Sequence, residues 1–182
     1  GETPVELLTH TVDVSVSVDA AGPLVMTIDA AYRLHNPTPT AVTLLLQIDT
    51  PDERADGAVR APQNVRLGAD GQPLPLESTG NGLQQTAQLR LEPDQRRTLR
   101  LVYAISFVES ELPAFVYPAA VLNVWPGQVS SWRVTLTLDP VSQGMYGPES
   151  WLAVEPDGWT YTGNRLQWLS EANFPAVPLR WQ

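Results

Sequence analysis

The sequence predicts an all-β chain, an antiparallel β-sandwich of about ten to thirteen short strands. Three observations carry this. Apolar and polar residues alternate at period 2 in run after run. Turn chemistry separates the runs. No window of a dozen residues carries an apolar stripe at i, i+3, i+4 and i+7, so no helices are at hand for the crossovers of a parallel sheet.

The first run sets Val12, Val14, Val16 and Val18 against Asp13, Ser15, Ser17 and Asp19, a half-buried strand of β-branched residues. Met26, Ile28, Ala30, Tyr32 and Leu34 repeat it after Gly22-Pro23. Both apolar sets must share a face, and two opposed aspartates repel, so the expected register puts Ser15 opposite Asp29 and Val14 opposite Ala30. Asn36-Pro37-Thr38-Pro39 leads to Val42, Leu44, Leu46 and Ile48. Asp70-Gly71 reads as a two-residue type I′ turn pairing Ala69 with Gln72, Leu67 with Leu74 and Val65 with Leu76. Leu83, Ala87, Leu89 and Leu91 form a weaker run. Glu92-Pro93-Asp94-Gln95 suits a type I turn, and Leu99, Leu101, Tyr103, Ile105 and Phe107 follow it. Trp132, Val134, Leu136 and Leu138 alternate again. Near the end, Gly163-Asn164 sets Thr162 opposite Arg165, Tyr161 opposite Leu166, Thr160 opposite Gln167 and Trp159 opposite Trp168.

A chain of 182 residues and 19.9 kDa buries about 70% of its unfolded surface, enough for a core without staples. Residues 1–182 read as one extended sandwich, or two sharing a tight interface, with 109–113 as the sub-boundary. The charged, Pro-ended stretch Glu109–Pro113 follows the strongest run. With 43% hydrophobic residues the chain is not a disordered one. No run of 18 apolar residues is present, so no helix spans a membrane. A net charge of −9 disfavours nucleic acid. Zero cysteines exclude disulfides, thiol catalysis and Cys-based zinc sites. Lys is absent while Arg, Ala, Pro and Leu abound, which points to a GC-rich bacterial genome. The chain starts at Gly1, as a processed protein or an excised domain would.

Candidate sites are few. His10 ends an apolar face and His35 shares parity with Arg33 and Asp29 on the polar side. Ser15 and Ser17 lie near in sequence, but no nucleophile elbow accompanies them, so no catalytic residues are assigned. Asp49, Asp52, Glu53 and Asp56 gather carboxylates as calcium loops do. Their spacing is not an EF-hand's and Arg54 sits among them, so the expectation is a solvated loop and no bound metal. Glu109 with Glu111, and Glu155 with Asp157, border Pro-containing turns rather than a sugar groove. All six Trp lie from Trp125 onward, and Trp159, Tyr161 and Trp168 are the candidates for a ligand platform, against the expectation that such rings fill the core. Gly80-Asn81-Gly82 has no following helix to cradle a phosphate. No cofactor is implied.

Two stretches carry a resemblance. Tyr32-x-Leu34-x-Asn36-Pro37-Thr38, Leu91-x-Pro93-x-Gln95 and Leu99-x-Leu101-x-Tyr103 resemble the Ig-like and fibronectin-like modules of bacterial surface and secreted proteins, with Asp94 where those turns carry Gly. Trp125-Pro126-Gly127, Trp168, Asn173-Phe174-Pro175 and Leu179-x-Trp181 are similar to β-sandwich ectodomains of bacterial envelope proteins. The resemblance implies a non-catalytic extracytoplasmic module and transfers no site residues. The expected function is therefore structure or contact with a protein partner or envelope component. The alternatives are a carbohydrate-binding module using the C-terminal Trp cluster, and a self-assembling subunit whose Val5-Glu6-Leu7-Leu8 joins a neighbour's sheet.

Overall fold

The computed structural model describes residues 3–18, 24–49, 52–53, 59–60, 62–79, 84–107, 115–117, 125, 129–151, 154–170 and 179–181. In chain order the elements are β1 (Glu6–Val18), β2 (Leu24–His35), β3 (Val42–Asp49), β4 (Asp52–Glu53), β5 (Val59–Arg60), β6 (Gln63–Ala69), β7 (Gln72–Pro73), β8 (Glu77–Thr79), β9 (Gln84–Leu91), β10 (Arg96–Phe107), β11 (Phe115–Tyr117), β12 (Ser131–Leu138), α1 (Pro140–Tyr146), β13 (Val154–Glu155), β14 (Thr160–Thr162), β15 (Arg165–Ser170) and β16 (Leu179–Trp181). The fold is all-β. One eight-stranded sheet runs β14-β15-β12-β1-β2-β10-β6-β7. Two three-stranded sheets, β3-β9-β8 and β11-β16-β13, add residues to the same core.

The period-2 pattern explains which face is inside. Val12, Val14 and Val16 of β1, Met26, Ile28 and Ala30 of β2, and Val134, Leu136 and Leu138 of β12 are all buried. Leu44 and Ile48 of β3, Leu89 and Leu91 of β9, and Leu179 and Trp181 of β16 join them. Val5 and Leu7 are buried too, although their parity is opposite to that of Val12. A bulge between Leu7 and Thr9 reconciles the two sets. Ser130 satisfies the displaced Leu8 carbonyl through its backbone N–H (2.8 Å) and its hydroxyl (2.6 Å). The N-terminal segment that the self-assembly alternative would give to a neighbour belongs to its own sheet and core.

The opening hairpin departs from the expected register. Val12 pairs with Ala30 and Asp13 stands directly opposite Asp29. Repulsion does not forbid this, because each carboxylate has an arginine from its other neighbouring strand. The Arg100 guanidinium on β10 grips Asp29 through Nε at 2.8 Å and through a second, shorter bond. Arg133 on β12 lies 3.7 Å from Asp13. The like-charge pair is flanked by an arginine on each side, in the order plus, minus, minus, plus. A second departure is β12, which pairs with β1 in parallel, Val12 beside Val134 and Val14 beside Leu136. The sheet is therefore mixed. Among the described residues between these strands there is no helix.

Two turns match the expectation in the pairs nearest them, but the ladders stop short of the expected Leu67–Leu74, Val65–Leu76 and Trp159–Trp168 pairs, since β7 ends at Pro73 and β14 starts at Thr160. Asp70 and Gly71 both have positive φ (52° and 80°), as type I′ requires, and Ala69 pairs with Gln72. Thr162 pairs with Arg165, Tyr161 with Leu166 and Thr160 with Gln167. The turn at 92–95 differs. Asp94 has φ 54°, so the third residue is left-handed, the signature of type II rather than type I. Helix α1 was not anticipated. Its start is nonetheless written in Asp139-Pro140, where the Asp139 carboxylate accepts from the Ser142 N–H (2.6 Å) and Pro sits in the first turn.

Candidate functional site

Two regions bring chemistry-bearing side chains together. The first is the outer edge of the large sheet. After β12, the Asp139 cap starts α1, a 3-10 turn at Pro148–Ser150 follows, and the chain arrives at Trp151. The Trp151 indole N–H donates to the Tyr146 carbonyl (2.8 Å), which fixes the ring. Trp159 meets it edge-on at 5.8 Å and 75°, and Tyr161 meets it at 5.1 Å and 88°. Such perpendicular contacts suit the quadrupoles of aromatic rings. Gln143 on α1 donates its amide to the Gly163 carbonyl (3.0 Å) and to the Tyr161 hydroxyl (3.5 Å). The Asn164 amide donates to the Leu138 carbonyl (2.7 Å), so the hairpin turn is tied to the end of β12 as well as to α1.

Of the three platform candidates, Trp159 is 36% exposed, Tyr161 is half-buried and Trp168 is only 2% exposed. Trp168 lies in the core and donates its indole N–H to the Pro156 carbonyl (3.2 Å). The structure adds Trp151 and Gln143, which the pattern did not single out. Trp151 lies outside any alternating run and Gln143 lies in a helix too short to show a period.

The second region is a corner where β2 ends beside the 92–95 turn. Asn36 is fully buried and acts as a hub. Its amide donates to the carbonyls of Thr40 (2.8 Å), Glu92 (3.1 Å) and Leu91 (3.2 Å), and its oxygen accepts from the Thr38 N–H and hydroxyl. His35 lies between two carboxylates, with Nε2 2.9 Å from Asp94 and Nδ1 3.0 Å from Glu6. Hydrogen bonding to Asp94 and then to Glu6 raises its pKa above the ordinary value of 6.5. The same contact lowers that of Asp94.

His10 behaves oppositely. It is fully buried, stacks on Tyr32 at 4.4 Å, and Nδ1 lies 3.2 Å from the Ala31 carbonyl. Desolvation lowers its pKa to about 4, with the Ala31 bond opposing. It faces the core while Ser15 and Ser17 are exposed on the other face, so the imagined Ser-His pairing does not form.

Among the carboxylates read as a calcium loop, Asp49 ends β3 and Asp52–Glu53 form β4, paired to β5. Asp56 lies outside the described residues, as do Glu109, Glu111 and the 109–113 stretch. Among the described residues no three His, Asp or Glu side chains are grouped as metal ligands. Glu155 and Asp157 are exposed.

No protein-family model matches the chain, and no curated protein matches it in sequence. Solved structures do match in shape. A "putative nutrient binding protein" from Legionella pneumophila superposes with a TM-score of 0.75 at 10% identity, covering 99% of this chain and 67% of that one. An M1 zinc metallopeptidase from Deinococcus radiodurans gives 0.52 at 14% identity, over 100% of this chain and 43% of its own. Yeast LTA4 hydrolase in complex with bestatin gives 0.53 at 10% identity, over 98% and 29%. At such identities the likeness establishes a shared β-rich fold. The chain spans less than half of either enzyme.

Proposed function

We propose that the chain is a non-catalytic binding module of an exported bacterial protein, Ig-like in general build, that holds a partner on its surface. The observation that supports this reading is the likeness over 99% of the chain to the "putative nutrient binding protein" of Legionella pneumophila. The site chemistry agrees. Both histidines are occupied structurally, one in the core and one clamped by carboxylates. In the metallopeptidases and in LTA4 hydrolase the matching region is a minority of the chain, so most of each enzyme lies outside it. The aromatic edge supports glycan stacking less well, since Trp151 stands perpendicular to Trp159 rather than coplanar with it.

The test is turnover. The purified chain, with and without added zinc, is incubated with aminoacyl anilides, peptide amides and simple esters. The expected result is hydrolysis no faster than in buffer. Saturable turnover that one point substitution abolishes would sink the reading.

A further inference from the structure

The charge of this protein is unevenly distributed. The outer face of the eight-stranded sheet carries Arg33, Arg66, Arg96, Arg100, Arg133 and Arg165, six of the chain's 11 basic residues. Among the described residues Glu6, Asp13, Asp29 and the Asp94 that clamps His35 oppose them there. Six minus four makes the face +2, on a chain of net −9, which leaves −11 elsewhere. At physiological salt the Debye length is about 8 Å, so a ligand on this face responds to the face more than to the remainder.

Strand order arranges these arginines as a belt. Arg165 on β15, Arg133 on β12, Arg100 on β10 and Arg66 on β6 cross the sheet over roughly 24 Å at ordinary strand spacing. Arg100 and Arg133 occupy one row, separated by Thr11 and Ala31. Aspartates hold these two in place. Arg33, Arg66, Arg96 and Arg165 are exposed and make no ion pair among the described residues. The floor is short and hydroxylated: Thr11, Ser15, Thr27, Thr98 and Thr137.

We infer that this face binds an acidic polysaccharide lying across the strands, an assignment that rests on the binding-module reading. Guanidinium forks match carboxylates, and threonine and serine hydroxyls match sugar hydroxyls. Other occupants fit less well. A protein interface needs a buried apolar or aromatic centre, and the one large exposed apolar side chain on this face among the described residues is Leu169, at its rim. Bases would need large aromatic rings to stack on, and the described residues of this face carry no Phe, Tyr or Trp.

The experiment measures binding of alginate oligosaccharides, a linear uronate, to the full chain by calorimetry. Neutral dextran, single-stranded DNA and vesicles containing anionic phospholipid run beside it. Alginate should bind and dextran should not, with affinity falling at least about tenfold between about 20 and 200 mM salt. The combined Arg33→Ser, Arg66→Ser and Arg165→Ser variant should lose about tenfold or more. Its melting temperature should hold, since those side chains support no ion pair. Arg180→Ser, on β16 away from the face, should leave affinity unchanged. Alginate that fails to bind at low salt overturns the inference. So does an equal loss in Arg180→Ser, an undiminished affinity in the triple variant, or tighter binding of DNA or vesicles. Failure here without enzymatic turnover leaves the module reading standing, whereas turnover sinks that reading whatever alginate does.

Discussion

His10 and His35 sit on paired strands of one sheet and face opposite ways. Inside, His10 has lost its solvent, stacks on Tyr32 and is held neutral. Outside, His35 lies between Asp94 and Glu6, and its hydrogen bonds to them raise its pKa above the ordinary value. The same contrast runs along both faces. The inner face gathers valine, leucine and tryptophan, and the outer face interleaves arginine and aspartate. A polar group survives in the core by giving up its charge, whereas on the surface it survives by finding a counter-charge. One chain position decides which rule applies, because each step along a strand changes face.

The largest test of that contrast is at Trp168. Its ring fills the inner face beside Val134. Trp168→Ala should cost about 3–5 kcal/mol, through lost burial and the cavity left behind. Arg165→Ser, three residues earlier on the outer face, should change stability by no more than about 0.5 kcal/mol. Urea unfolding of both variants measures the difference. Equal costs would mean that the faces are not energetically distinct.

The next effect belongs to His10. Its folded pKa of about 4 lies below the 6.5 of an unfolded histidine, so the unfolded chain binds the proton more readily. Its contribution is complete above pH 6.5, shrinks as pH falls, and is lost by about pH 4. The difference is worth ~3 kcal/mol at 1.36 kcal/mol per unit. Unfolding free energy followed across that range should fall in the parent and fall less in His10→Gln. Identical profiles would show that His10 is not the group held neutral.

Much of the fold was legible because period 2 and turn residues report local geometry. Asp70-Gly71 and Gly163-Asn164 each fixed a register correctly, since a two-residue turn leaves the strands no freedom. The register of β1 and β2 was not legible from the pair alone. What permits Asp13 beside Asp29 is Arg100 and Arg133, far along the chain on strands whose neighbours only topology sets. The parallel pairing of β12 and the bulge near Leu8 are hidden for the same reason, as neither leaves a local residue signature. At the candidate sites, the aromatic character of Trp159 and Tyr161 was legible, but the perpendicular Trp151 that braces them was not. His35 was placed on the polar side, yet its two carboxylate partners come from 29 and 59 residues away.

The smallest and most local test is that carboxylate clamp. A neutral imidazole has one N–H and one lone pair, so it can donate to only one of two carboxylates. With oxygens at 2.9 and 3.0 Å on both nitrogens, only the protonated ring satisfies both. Asp94 contributes most to holding that proton, Glu6 next, and the charge of Arg96 works against them. Because the folded pKa is raised above 6.5, the clamp's stabilisation is fully present below that value and is lost as pH rises through the raised one. On the acid side it weakens as Asp94, itself held below its ordinary value by His35, takes up a proton. An NMR titration of the two histidines should therefore bracket 6.5, with His10 below it and His35 above. Asp94→Asn should bring His35 down toward 6.5 more than Glu6→Gln does, and neither should move His10. Two histidines titrating together near 6.5 would erase the difference between the faces.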